Sequence, residues 1–159
     1  MSRQRLGEGE YRYFDSPEPE IVANLRLALY PPLAELANAW AIRLRDNHRF
    51  PPKLQSLERL CRSEGQTSPA SLMLRYETEG FNRLHQDIYG PVHFPFQVAC
   101  LLSRPGVDFG GGEFVLTEQR ARMQNRPSVA PLSLGDAVVF ASGRRPVKTR
   151  QGYSRATVR

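Results

Sequence analysis

The stretch VHFPFQVACLL at residues 92–102 decides the fold. Val92, Phe94, Phe96, Val98, Cys100 and Leu102 alternate with His93, Pro95, Gln97, Ala99 and Leu101, the period of two expected of a strand. Upstream, Leu72, Leu74 and Tyr76 alternate with Ser71, Met73 and Arg75, a parity that predicts Leu72, Leu74 and Tyr76 facing inward. Downstream, turn signals at Pro105-Gly106 and Gly110-Gly111-Gly112 precede strand candidates at 113–117, 129–132, 137–140 and 153–158.

The first third has the other period. Ile21, Val22, Leu25 and Leu29 share one helical face, after a start rich in Pro17, Glu18, Pro19 and Glu20. Pro31-Pro32 predicts a break. Leu33, Leu36, Ala37, Trp40 and Leu44 then predict a second helix, and Leu54, Leu57, Leu60 and Cys61 a third, ending near Gly65. Helices first and short strands afterwards imply an α+β domain, residues 1–65 supporting a β-sandwich or barrel over 70–159.

Composition is that of an ordinary soluble protein, 40% apolar and 24% charged. No apolar run approaches a membrane span, and the polar start at residues 1–5 lacks the apolar core of a signal peptide. Cys61 and Cys100 read as two buried thiols in a reducing cytoplasm. The net charge of +6 is uneven: residues 1–116 carry 13 Lys/Arg and 14 Asp/Glu, whereas 117–159 carry nine basic residues against Glu118 and Asp136. A polyanionic partner or an anionic cosubstrate fits this asymmetry. Arginines placed to guard strand edges fit it as well.

Between the strand signals lies His85-Gln86-Asp87. An imidazole and a carboxylate two residues apart can bind one cation, and the pair begins the 2-His-1-carboxylate triad of non-haem Fe(II) sites. The chain holds only two other histidines, His48 and His93. His48 sits in a loop-like stretch, and His93 on the polar parity of a strand, where a ligand role would need the chain to fold straight back. No histidine follows the strand signal at 137–140.

Residues 84–140, LHQDIYGPVHFPFQVACLLSRPGVDFGGGEFVLTEQRARMQNRPSVAPLSLGDAVVF, resemble the bacterial family predicted to catalyse oxidative demethylation of damaged DNA bases, within the prolyl-hydroxylase-like branch of Fe(II)/2-oxoglutarate dioxygenases. The likeness extends back to Gly9-Glu10-Tyr11-Arg12-Tyr13-Phe14. It implies a double-stranded β-helix of the jelly-roll type. It implies that His85 and Asp87 are iron ligands and catalytic residues, that Tyr76 hydrogen-bonds 2-oxoglutarate, and that dioxygen is the co-reactant. Tyr76 also reads as a core tyrosine, and Glu113 as a strand residue with a structural hydrogen bond. In the family the arginine matching Arg159 is followed at once by the distal histidine, and a later strand supplies a basic residue for the cosubstrate's far carboxylate. By that comparison the chain looks trimmed at both ends, and the 159 residues alone are expected to be inactive. The substrate implied is a damaged nucleic-acid base, with the basic C-terminal third as the contact. A prolyl-type protein hydroxylase and a non-catalytic remnant are the competing readings.

Overall fold

The computed structural model describes residues 7–159, and the polar start at 1–5 lies outside them. The described chain is α+β: helices α1 (Glu20–Leu44) and α2 (Leu54–Ser63) accompany β1 (Gly7–Glu8), β2 (Glu10–Tyr13), β3 (Leu72–Arg75), β4 (Phe81–Asn82), β5 (Phe96–Cys100), β6 (Phe114–Arg120), β7 (Arg126–Ala130), β8 (Ala137–Ala141), β9 (Arg144–Thr149) and β10 (Gly152–Val158). Every pairing between these strands is antiparallel. The chain clusters into two compact units. The first holds residues up to Asn38, Arg49–His85 and Tyr89–His93, and the second Ala39–His48, Gln86–Ile88 and Phe94–Arg159.

In the first unit β2 pairs β3, from Glu10↔Arg75 to Tyr13↔Leu72, and β1 pairs β4. The expected inward parity of β3 is not seen. Leu72 is half-buried, but Met73 and Leu74 are about equally exposed at 47% and 46%. A two-stranded ribbon gives neither face a full cover. Helix α2 ends in a Schellman motif: Gly65, at φ 75°, donates to the Arg62 carbonyl, and Gln66 N–H reaches back to Cys61 at 2.8 Å.

The double proline does not break the first helix. Helix α1 is 25 residues long with Pro31 and Pro32 inside it. Each proline lacks an N–H and presses on the turn before it, a penalty of roughly 3 kcal/mol against alanine. Tertiary packing outweighs this. Tyr30, Ala34, Ala37 and Ala41 form a buried stripe that runs across the prolines. Tyr30 Oη donates to the Pro51 carbonyl at 2.6 Å, and the Asn38 amide both donates to and accepts from the Phe50 backbone, at 2.9 and 2.8 Å. Arg26, near the helix start, bridges Glu18 and Glu58 at 2.6 and 2.9 Å. Of the expected apolar face, Val22 and Leu29 are half-buried, while Ile21 and Leu25 stay exposed.

The second unit contains a four-stranded sheet in the order β7-β6-β10-β9, together with the β5–β8 pair. Central β10 pairs β6 from Ala156↔Arg120 to Val158↔Glu118, and pairs β9 from Gly152↔Thr149 to Thr157↔Arg144. Ala156 and Val158 are buried, whereas Tyr153 and Arg155 lie on the other face. There Arg43 stands 5.1 Å over the Tyr153 ring, and Arg155 donates to the Leu44 carbonyl at 3.3 Å. Trp40 packs on Phe96 with ring centroids 4.5 Å apart. The expected strand at 92–102 is shorter, Phe96–Cys100, because Pro95 has no N–H for a ladder and the Val92 backbone pairs with the Gln66 side chain instead. Both edge strands of the sheet carry a proline, Pro127 in β7 and Pro146 in β9, which blocks further pairing.

Candidate functional site

Gln86 organises its segment. Its Nε2 donates to the Val158 carbonyl at 2.9 Å and to the Gly143 carbonyl at 3.3 Å. Two carbonyls can only accept, so the amide orientation follows from its partners. Gly143 O also receives the Val158 N–H at 2.6 Å, and Arg159 and Thr117 exchange backbone hydrogen bonds at 3.0 and 2.7 Å. The middle residue of the motif is thereby fixed to the end of β10. Sequence reading passed over Gln86, since the x of a His-x-Asp carries no ligand chemistry.

The boundary between the two units falls between His85 and Gln86. His85 is half-buried outside any strand, and its Nδ1 lies 2.6 Å from the Arg83 carbonyl. In a neutral imidazole this nitrogen must donate, which leaves the lone pair on Nε2. Metal-binding histidines use this kind of backbone bond to set tautomer and ring orientation. Asp87, in the second unit, accepts from Gln97 Nε2 at 2.9 Å through Oδ2. Gln97 lies in β5 and was visible in the sequence only as a polar residue within an apolar alternation. Among the described residues no three His, Cys, Asp or Glu side chains gather as a metal cluster.

Tyr76 follows β3 in the first unit, and its ring stands edge-on to Tyr11 with centroids 6.3 Å apart. Burial, then the hydrogen bond with Tyr11, raises the phenol pKa well above its ordinary value, against a smaller opposing bond from Asn82. A Cβ on Gly9 would come within 2.5 Å of the Tyr76 ring, so glycine is what allows the ring to lie there.

The sheet of the second unit carries an ion triad that sequence reading also missed. Glu118 on β6 accepts from Arg120 at 2.7 Å and from Arg145 on β9, across the buried Ala156 and Val158 of β10. Burial would raise the Glu118 carboxyl, but the hydrogen bonds from Arg120 and Arg145 outweigh it and hold it below the usual range. His48, expected in a solvated loop, contacts Asp46 Oδ1 through Nδ1 at 2.6 Å. His93 is half-buried outside the strands, and Glu113 is exposed just before β6. The thiols are free, but only Cys61 is partly buried; Cys100, at the end of the shortened β5, is exposed. No helix among the described residues is long and apolar enough to cross a membrane.

An α+β chain whose His-x-Asp segment is held by side-chain amides is the class that fold and site define. Residues 9–159 match the family Oxygenase-NA, described as "Oxygenase, catalysing oxidative methylation of damaged DNA", and the chain belongs to that family. It is 41% identical over 146 residues to the proteins named "Uncharacterized protein Rv2227" and "Uncharacterized protein MT2286", from Mycobacterium tuberculosis strains H37Rv and CDC 1551. The alignment covers 92% of this chain and 63% of each relative, so the chain spans less than two thirds of their length. No solved structure matches it.

Proposed function

We propose that the chain carries the core of an Fe(II)/2-oxoglutarate-dependent oxygenase that removes methyl groups from damaged DNA bases in the cytoplasm, on a β-scaffold of the jelly-roll type. The observation that carries this reading is the Gln86 link. It ties the His-x-Asp segment to Val158, at the end of the strand after which the resemblance places the distal histidine. The family description supports an oxygenase and a damaged-DNA substrate. Oxidising an N-methyl group releases it as formaldehyde, so demethylation is the direction such chemistry takes.

The residues present suit the group they would hold. His85 would offer Nε2, with Arg83 O fixing its tautomer, and Asp87 would offer a carboxylate steadied by Gln97. Tyr76 would donate its hydroxyl to a 2-oxoglutarate oxygen, and its raised pKa keeps that proton on at neutral pH. Iron and 2-oxoglutarate, when bound, supply the dioxygen activation that oxidises the methyl group. The protein's own task is to orient ligands, hold the cosubstrate and exclude water. The damaged base must leave its stack to be reached.

Anaerobic titration with Co(II), an oxygen-stable substitute for Fe(II), tests the site directly. Binding that is lost in His85→Ala and in Asp87→Ala supports it. Formaldehyde release from an N-methylated single-stranded oligonucleotide, dependent on Fe(II) and 2-oxoglutarate, tests the reaction. Metal binding untouched by both substitutions would overturn the assignment.

A further inference from the structure

We infer that the two hairpin tips at one end of the four-stranded sheet form a phosphodiester-binding face, with Arg122, Arg126, Lys148 and Arg150 as its cations. The inference deepens the reading of the substrate as nucleic acid and rests on it. The register places both tips together. β6 runs past Arg120, opposite Ala156, into its turn, while β10 runs back from Ala156 to Gly152 and the β9–β10 turn. The turns after Arg120 and after Thr149 therefore project from the same end of the sheet.

Pairing and place separate these four residues from the other five basic residues of the C-terminal third: Arg144 and Arg159 are exposed too, but they lie at the opposite end of the sheet, at the start of β9 and past the end of β10. Arg120 and Arg145 are occupied by Glu118, and Arg155 is turned to the Leu44 carbonyl. Arg122, Arg126, Lys148 and Arg150 are exposed, and among the described residues none of them forms an ion pair. Glu118 is the only acidic residue of either hairpin. Guarding an edge does not account for the set. Arg122 and Arg150 lie in turns, beyond the last paired residues, where there is no edge to guard. Three strand spacings spread the cations over roughly 14 Å, wide enough for several successive phosphates of one strand. Point charges without a fixed polar frame suit a phosphate backbone, which positions a strand without reading its bases.

The test is fluorescence anisotropy of the chain with a labelled single-stranded oligonucleotide, between about 50 and about 200 mM salt. Four phosphate contacts on a single strand should weaken binding about fifty-fold over that range. The variant with Arg122, Arg126, Lys148 and Arg150 all changed to Ala should lose this dependence. The half-variants Arg122→Ala/Arg126→Ala and Lys148→Ala/Arg150→Ala should each lose about half of the logarithmic slope, and they keep the test open if the fourfold variant fails to fold. Arg59→Ala/Arg62→Ala, on α2, should bind like the parent. An unchanged slope in the fourfold variant, no oligonucleotide binding by the parent, or preferential binding to anionic phospholipid vesicles would overturn the inference. Co(II) binding on the same samples separates the two readings. Intact metal binding without tip-dependent oligonucleotide binding removes the surface alone, and the reverse removes the iron site alone.

Discussion

Gln86 Nε2 and the Val158 carbonyl lie 2.9 Å apart, although 72 residues separate them in sequence. This bond and its partner to Gly143 O fasten Gln86, the middle residue of the His-x-Asp, to the end of the sheet's central strand β10. Gln86→Leu removes both hydrogen bonds and takes the amide donor from the Val158 carbonyl, while Gly143 O keeps the Val158 N–H. It should lower the unfolding free energy by about 1–3 kcal/mol. Urea denaturation reads this, and a midpoint equal to the parent's would mean that the amide holds nothing.

Gln97 should act on Asp87 and not on the fold as a whole. Its single bond to Asp87 Oδ2 is of the kind that orients a ligating carboxylate. Gln97→Leu should weaken Co(II) affinity by roughly 10- to 100-fold, with a stability change near 1 kcal/mol or less. Equal metal affinity in parent and variant would leave Gln97 as an ordinary strand residue.

Much of this architecture was legible and some was not, for separable reasons. The strands at Phe96–Cys100 and Gly152–Val158 announce themselves through their patterning and Ala137–Ala141 through a continuous apolar run, because each puts residues into a core. β9 does not, since Arg-Arg-Pro-Val-Lys-Thr reads as a basic, proline-bearing turn; only its buried Pro146 and Val147 reveal the strand. The His-x-Asp was readable from spacing alone. Its supports were not, because Gln86, Gln97 and Glu118 gain their meaning from partners such as Val158, Asp87 and Arg145 that only the fold supplies.

Pro31 and Pro32 test whether packing overrides local propensity in α1. Since the backbone there is already helical, Pro31→Ala and Pro32→Ala each restore an N–H donor and relieve the preceding turn. Each should stabilise the chain by about 1–2 kcal/mol, less than the full proline penalty because the unfolded state gains freedom as well. Thermal melting should show a higher midpoint. A fall would show that the proline rings themselves contribute to the packing.

Glu118 should set part of the acid sensitivity. Its folded pKa is depressed, so it binds protons less readily in the native state than in the unfolded chain. Its contribution is therefore fully present above the unfolded carboxylate value of about 4.3 and is lost as pH falls through the folded value. In Glu118→Gln the decline of stability below that point should be shallower, although the variant is less stable at neutral pH. Denaturation midpoints across the acid range would show it, and parallel curves for parent and variant would contradict it.

Gly9 and Tyr76 offer a test of the cosubstrate role that separates position from chemistry. Tyr76→Phe keeps the ring against Tyr11 and removes the hydroxyl with its bonds to Tyr11 and Asn82, so stability should fall by only about 1 kcal/mol while the 2-oxoglutarate requirement rises by about fivefold, the equivalent of one further hydrogen bond. Gly9→Ala leaves the hydroxyl in place but sets a Cβ within 2.5 Å of the ring, which forces Tyr76 to move. It should therefore reproduce the binding defect and cost more stability than Tyr76→Phe does. Both are read by titrating 2-oxoglutarate into the metal-loaded protein and by melting the apoprotein. If Gly9→Ala is destabilised but binds 2-oxoglutarate normally, and Tyr76→Phe also binds normally, the Tyr11–Tyr76 pair is a packing contact, and the cosubstrate is held elsewhere.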